Sequence, residues 1–398
     1  MAEKSFNRVL VTATVCCSIA FFGITMYFWG AMLPIIGAQI EGVDSLPWIL
    51  TLGIILGTVV CGSFMDRYGY KWLLILSCVA IAAGLFMFTF SKDFYMLALS
   101  ALLIGGGGGV LNSETIAIIS DLYDDAHRGI MLGILGGTYC FGSLLWTIVC
   151  RLWISSPLTP VIGSSIIISI CSILFMFVKF PPAKVGKGEG LSFVETLKLL
   201  KNEVLIVVSV VLFFQGVIEA ISANFSTSYL TNVDGGISAA QAVTTLIFMT
   251  VGMTVGRFSL SASIKIIGNV ASLIIFLMIA FIGALLQKFM PTSYPAAILS
   301  MAFMGFGVGA TSPIAFNYLG QIFKKYSGVA VSVAVLVAQV GMLLGNYFTA
   351  KLFTPEKLGD GTFKIFPIGL AIGIVLVVAL FPLITRSTAK LSSKHLDL

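Results

Sequence analysis

The chain has 398 residues, of which 58% are hydrophobic and only 10% charged, with a mean hydropathy of +1.05. A soluble domain carries roughly a quarter charged residues, so this balance excludes a soluble globular enzyme and makes lipid the solvent for most of the chain. The net charge of +6 does not call for nucleic acid, because the Lys and Arg residues fall in short clusters between apolar blocks, where orientation in a bilayer explains them.

Lys4 and Arg8 precede an apolar stretch that runs to Leu33, too long for a cleaved signal and therefore a first span. Apolar stretches long enough to cross a bilayer follow in order, giving twelve predicted spans at 9–36, 46–65, 71–90, 94–121, 129–153, 160–180, 204–230, 238–260, 266–287, 294–322, 328–350 and 363–385. The one long polar connection, 181–203, opens with Pro181 and Pro182 and carries four lysines. The expected organisation is an N-terminal six-helix bundle (1–180), a cytoplasmic linker (181–203) and a C-terminal six-helix bundle (204–398). With the N-terminus inside, 17 of the 23 basic residues fall on the inner side. That bias predicts a multi-pass plasma (inner) membrane protein with both termini cytoplasmic.

A shift of 199 residues brings nine glycine pairs into register: 37/236, 53/252, 57/256, 69/268, 84/283, 106/305, 108/307, 129/328 and 142/341. Close helix packing in lipid needs small residues at matching places, so the pattern predicts a duplicated six-helix unit. The seven cysteines sit inside apolar segments without metal-ligand spacing, and the two histidines, His127 and His395, lie far apart. The cysteines read as small hydrophobes; no metal and no redox or nucleotide cofactor is expected.

Between spans two and three the sequence GSFMDRYGYKWL, Gly62 to Leu73, resembles the major facilitator signature G-x-L-x-D-R-x-G-R-K. DLYDDAHRG, Asp121 to Gly129, resembles the acidic, Arg-Gly turn after span four of the same superfamily. Within it, FFQGVIEAISANFSTSYL in span seven, GMTVGRF in span eight and GFGVGATSPIAFNYLGQIF in span ten are similar to the fucose permease-related sugar/proton symporters. The resemblance implies a twelve-helix, all-α membrane fold in two pseudo-repeats. It also implies a cytoplasmic gate at Asp66, Arg67 and Arg128, with Arg257 a gate or headgroup contact. Three positions depart from the narrower pattern: Gly30 stands where an acid precedes the proline of span one, the span-four acid falls nearer Asn112 than Glu114, and Asn224 stands where Trp is expected. The coupling scheme of those symporters is therefore not carried over.

Of the 17 acids, Glu114 and Glu219 lie well inside spans. Glu219 is 16 residues from Glu203 and 15 from Asp234, about 22 to 24 Å from each at 1.5 Å per residue, hence near the midplane. An ionised carboxylate there costs several kcal/mol, so the group is protonated, paired or facing water, and is expected to carry the coupling proton; the alternative is a protonated structural glutamate. Gln215 precedes it by one turn and Ser222 follows, a polar stripe suited to a cavity. Glu114, beside Asn112 and after a run of five glycines, is the second candidate coupling acid. Thr311 and Asn317 flank Pro313 in span ten, Trp29 and Trp146 are candidates to stack on a sugar ring, and Gln339 and Asn346, seven apart, share a face.

The expected function is secondary active transport by alternating access, as proton-coupled symport of a small polar solute such as a sugar, by a monomer in the bilayer, with sodium an open alternative to the proton. The rivals are a proton-driven exporter of lipophilic compounds or lysolipids, an organic-anion carrier with Arg257 as its cation, and a non-transporting receptor on the same scaffold.

Overall fold

A computed structural model describes residues 6–36, 42–123, 125–181, 202–323 and 327–392. Most of the linker 181–203 lies outside these residues. Among the described residues every regular element is helical. Six long helices come first: α1 (Arg8–Ile36), α2 (Leu46–Tyr68), α3 (Tyr70–Phe90), α4 (Phe94–Leu122), α5 (Asp125–Leu152) and α6 (Leu158–Phe175). There follow α7 (Glu203–Asn232), α8 (Ala239–Phe289), α9 (Tyr294–Ile322), α10 (Ser327–Ala350), the short α11 (Pro355–Gly359) and α12 (Phe366–Ser392). Helix α8 is broken at Gly268 into two arms, each long enough to span, so twelve segments are long and apolar enough to cross a membrane. They are helices because a backbone in lipid must bond its own N–H and C=O groups.

Two compact units divide the chain, Met1–Gly188 and Glu189–Leu398. In the first, α4 packs on α2 and α3, α1 on α5, and α3 on α6; in the second, α9 packs on α8, α7 on α10, and α12 on α7 and α8. Apart from the packing of α12 on α7, the two sets are one arrangement made twice, and glycines show it atom by atom. A side chain at Gly57 would strike the Gly106 carbonyl, and one at Gly256 would strike that of Phe306; Gly105 faces Leu50 as Gly305 faces Met249; Gly107 faces Ser77 as Gly307 faces Phe276. Ser100 Oγ donates to the Gly84 carbonyl at 2.7 Å, and Ser300 Oγ donates to that of Gly283 at the same distance. Gly69 and Gly268 adopt one conformation, φ 78°, ψ 171° and φ 81°, ψ 169°, a region open only to glycine, and both make the break between two spans.

These contacts correct the uniform 199-residue shift. It holds for α2, α3 and α5, but α4 superposes on α9 at 200, because the connection from Phe289 to Tyr294 is one residue longer than that from Phe90 to Phe94. Gly305 therefore matches Gly105, not Gly106, and Gly307 matches Gly107, not Gly108. Helix α1 superposes on α7 at 193: Gly23 rests on Tyr139 as Gly216 rests on Ala338, and Gly142 on Ala20 as Gly341 on Phe213. The counterpart of Glu219 is thus Met26, not Ala20.

Two predictions follow from these contacts. A methyl group at Gly109 meets the rigid Ile54 backbone, whereas at Gly309 it first meets the flexible Met253 side chain. Gly109→Ala is expected to cost about 1–3 kcal/mol by overpacking and Gly309→Ala less, an order that thermal unfolding in detergent reads. In the second unit, Lys364 Nζ lies 2.6 Å from Asp234 and holds that carboxyl below the usual carboxylate range. A lowered folded-state value gives stability that is complete above the unfolded value of about 3.9 and lost as pH falls through the folded one. Asp234→Asn is expected to lower the unfolding temperature at pH 7 and to converge with the native chain in acid.

Candidate functional site

Helix α7 starts at Asn202, whose side chain accepts from the Val204 and Leu205 amides, and continues through an apolar run with no internal proline. Glu219 lies 16 residues in and 13 from the other end, at the middle of the helix. Gln215, four residues earlier, shares its face, and its Nε2 donates to Glu219 Oε2 at 2.6 Å. Gln215 is buried and Glu219 half-buried. The Gln215 amide thus gives Glu219 a hydrogen-bond donor inside the span. Ser222 turns back to bond the Ile218 carbonyl at 2.6 Å, and so contributes less to the polar stripe than its spacing predicts.

One turn beyond, α7 is tied to α10. Asn224 Nδ2 donates to Asn346 Oδ1 at 3.2 Å, with both side chains buried. The carbonyl of Asn224 has no hydrogen-bond partner among the described residues. Gln339, two turns before Asn346 on α10, is buried as well, and Thr311 of α9 is fully buried with its hydroxyl unpartnered among the described residues. The second unit therefore brings Gln215 to Glu219 and Asn346 to Asn224. Sequence reasoning singled out the first pair and Asn346 but noted Asn224 only as a departure from a motif; an amide in an apolar span was the signal available.

In the first unit, Glu114 is fully buried, and neither carboxyl oxygen has a hydrogen-bond partner among the described residues. It lies two turns along one helix face from Gly107, which packs on Ser77 of α3. Its neighbour Asn112 is half-buried. Trp29 and Trp146 are buried in an aromatic cluster: Phe28 stacks on Trp146 at 5.4 Å, and Trp29 meets Phe28 and Phe88 edge-on at 5.0 and 5.7 Å. Aromatic neighbours thus occupy space that the sugar-stacking expectation assigns to a solute, yet both indole N–H groups lack a partner among the described residues.

Asp66, Arg67, Arg128 and Asn317 lie outside the residues whose side chains are described. Arg257 is half-buried on α8, with its Nε donating to the Gly309 carbonyl of α9 at 3.4 Å.

The amide pair gives a prediction. Asn224→Leu removes the donor to Asn346 and leaves a buried acceptor short of a bond, at an expected cost of about 1–3 kcal/mol, while replacing both asparagines by Leu is expected to cost less than the two single changes summed. Unfolding of the four proteins in detergent measures the cycle.

The chain is 28% identical over 147 residues to an MFS-type transporter of Aspergillus fumigatus, covering 35% of this chain and 32% of that protein. It is 25% identical over 152 residues to a triacylglyceride transporter of Mycobacteroides abscessus, covering 37% and 29%. The matched stretches therefore span about a third of these relatives' length. The crystal structure of the E. coli fucose:proton symporter shares the fold, with a TM-score of 0.66 at 16% identity, covering 95% of this chain and 99% of that one. The family model of the Major Facilitator Superfamily matches residues 11–346, and the chain belongs to that superfamily of transporters.

Proposed function

We propose that the protein is a proton-coupled symporter of a small polar solute such as a sugar, working by alternating access. The observation that carries this reading is the Gln215–Glu219 bond at the middle of α7. An acid at mid-span is costly unless paired or hydrated, and here an amide donor is its partner. Proton uptake adds an O–H donor to a group that keeps an acceptor oxygen, and so changes what the Gln215–Glu219 pair offers to a polar solute. Glu114, buried without a partner among the described residues, is the second coupling candidate, and Asn112, Gln215, Thr311, Asn317, Trp29, Trp146, Gln339 and Asn346 are the candidate solute contacts. Asp66, Arg67, Arg128 and Arg257 are candidates for the cytoplasmic gate. The reading asks for a proton as coupling ion, with sodium the alternative, no redox or nucleotide cofactor, and a single copy in the plasma (inner) membrane with both termini cytoplasmic.

A second reading, export of lipophilic compounds, is favoured by the named cargo of the triacylglyceride transporter among the relatives. One experiment separates the two. Proteoliposomes are screened for proton movement driven by neutral sugars, amino sugars, organic acids and lipophilic compounds, with the native chain and with Glu219→Gln. Symport predicts proton entry with a neutral polar solute, abolished in Glu219→Gln while counterflow exchange survives. Proton movement with lipophilic compounds alone supports export, and normal uphill transport by Glu219→Gln removes that residue from coupling.

A further inference from the structure

Helix α9 contains Pro313, and a proline has no N–H to give to the carbonyl four residues before it. That carbonyl belongs to Gly309. It is the atom to which Arg257 Nε of α8 donates, at 3.4 Å. The pseudo-repeat shows that the contact is built on a shared scaffold position. At the equivalent place in the first unit, Thr58 Oγ1 donates to the Gly109 carbonyl at 3.3 Å, and Thr58 and Gly109 are the counterparts of Arg257 and Gly309 under the corrected registers. In that unit, residue 113 is a serine, which retains its own N–H and adds its hydroxyl to the Gly109 carbonyl at 3.2 Å. Where the second unit puts proline, it puts the longer, charged donor opposite. A glycine at 309 completes the arrangement, because a side chain there would press on Met253 of α8 and hold the two helices apart.

We propose that Arg257 is a positioning residue for the Thr311–Pro313 segment of α9, supplying across the helix interface the hydrogen bond that Pro313 deletes from within the helix. A bond from a guanidinium on a neighbouring helix can be broken and remade without unwinding α9, so the backbone of α9 before Pro313, and with it the buried Thr311 hydroxyl, is held according to how α8 and α9 meet. This gives Arg257 a structural bond to protein backbone, a role that the reading of it as the cation of an anion carrier does not require. The inference rests on the transport reading only for its consequence for solute affinity; the bond itself is tested independently of any solute.

The test uses the full chain with Arg257→Met, Arg257→Lys, Pro313→Ala and the double variant Arg257→Met/Pro313→Ala, followed by hydrogen exchange with mass spectrometry in lipid nanodiscs. Pro313→Ala restores the N–H that α9 lacks, so it should make Arg257 dispensable. The expected result is that Arg257→Met speeds amide exchange over 309–317 by about tenfold, the equivalent of 1.4 kcal/mol, with α7 unchanged, that the double variant returns to the native rate, and that Arg257→Lys falls between. The proposal is overturned if exchange in Arg257→Met stays native, if α7 and α9 loosen equally, or if Pro313→Ala gives no compensation. If Arg257→Met does not fold, the double variant folding in its place supports the proposal, and its failure as well overturns it. The functional arm uses whichever neutral sugar drives proton entry in the native chain. A raised half-saturation concentration in Arg257→Met, reversed in the double variant at unchanged unfolding temperature, is the mark of positioning. Looser exchange with unaltered half-saturation shows a brace that positions nothing. Absence of any sugar response overturns the symport reading and leaves the exchange result to decide the bond.

Discussion

A helix in lipid has no water to satisfy a stray carbonyl and no hydrophobic force to press it on its neighbours, so close backbone approach does both tasks. The glycines are where this is visible. At Gly53, Gly57, Gly105 and Gly109, and again at Gly252, Gly256, Gly305 and Gly309, a side chain would collide with the facing helix. The same approach brings hydroxyls and one guanidinium within reach of carbonyls on the opposite helix, at Gly84, Gly109, Gly283 and Gly309. Helix pairing and polar satisfaction are thus one constraint, met by one set of small residues.

That constraint is repeated in both units, as is the serine bond at Gly84 and Gly283, but the acids and the amides are not. Under the corrected registers, Glu219 stands opposite Met26, Gln215 opposite Phe22, Asn224 opposite Ala31 and Asn346 opposite Thr147, while Glu114 stands opposite Ile314. A scaffold that folds with Met at one copy of a position does not need Glu at the other. The shared scaffold does not dictate these acids and amides, and each unit carries a different set. The second unit holds an acid with an amide donor at its oxygen; the first holds an acid with none among the described residues. The two acids therefore sit in unlike settings: Glu219 near the middle of α7 with a donor at its oxygen, Glu114 near the end of α4 with none among the described residues.

Much of the fold was legible because the signals were long. Twenty-residue apolar runs, basic clusters and glycines at a fixed spacing survive small errors of boundary, and the twelve spans emerge within a few residues of their expected limits. The register was legible only on average. A single residue added in the connection from α8 to α9, and six added between the packing positions of α7 and α8 relative to those of α1 and α2, leave glycine coincidences intact by chance at 106/305 and 108/307. A run of five glycines matches at several shifts, and only contact with Leu50, Ser77 and Ile54 fixes which is real. The site was legible where partners are neighbours in sequence, as Gln215 and Glu219 are. It was hidden where they are distant: nothing near Asn224 announces Asn346, 122 residues away.

Pro313 shows why such distant partners matter for function. Read alone, it is a kink in an apolar helix, and Arg257 read alone is a charge in a span, with gate, anion site and lipid contact all open. Joined through the Gly309 carbonyl, each explains the other: the proline creates a vacancy that lipid cannot fill, and the arginine is a cation whose desolvation is partly offset by filling it. The same accounting applies to the groups left over. The side-chain carbonyl of Asn224, the Thr311 hydroxyl and the two indole N–H groups have no partner among the described residues, and each polar atom buried in an apolar surround carries a desolvation cost that a bond like the one from Arg257 to Gly309 offsets.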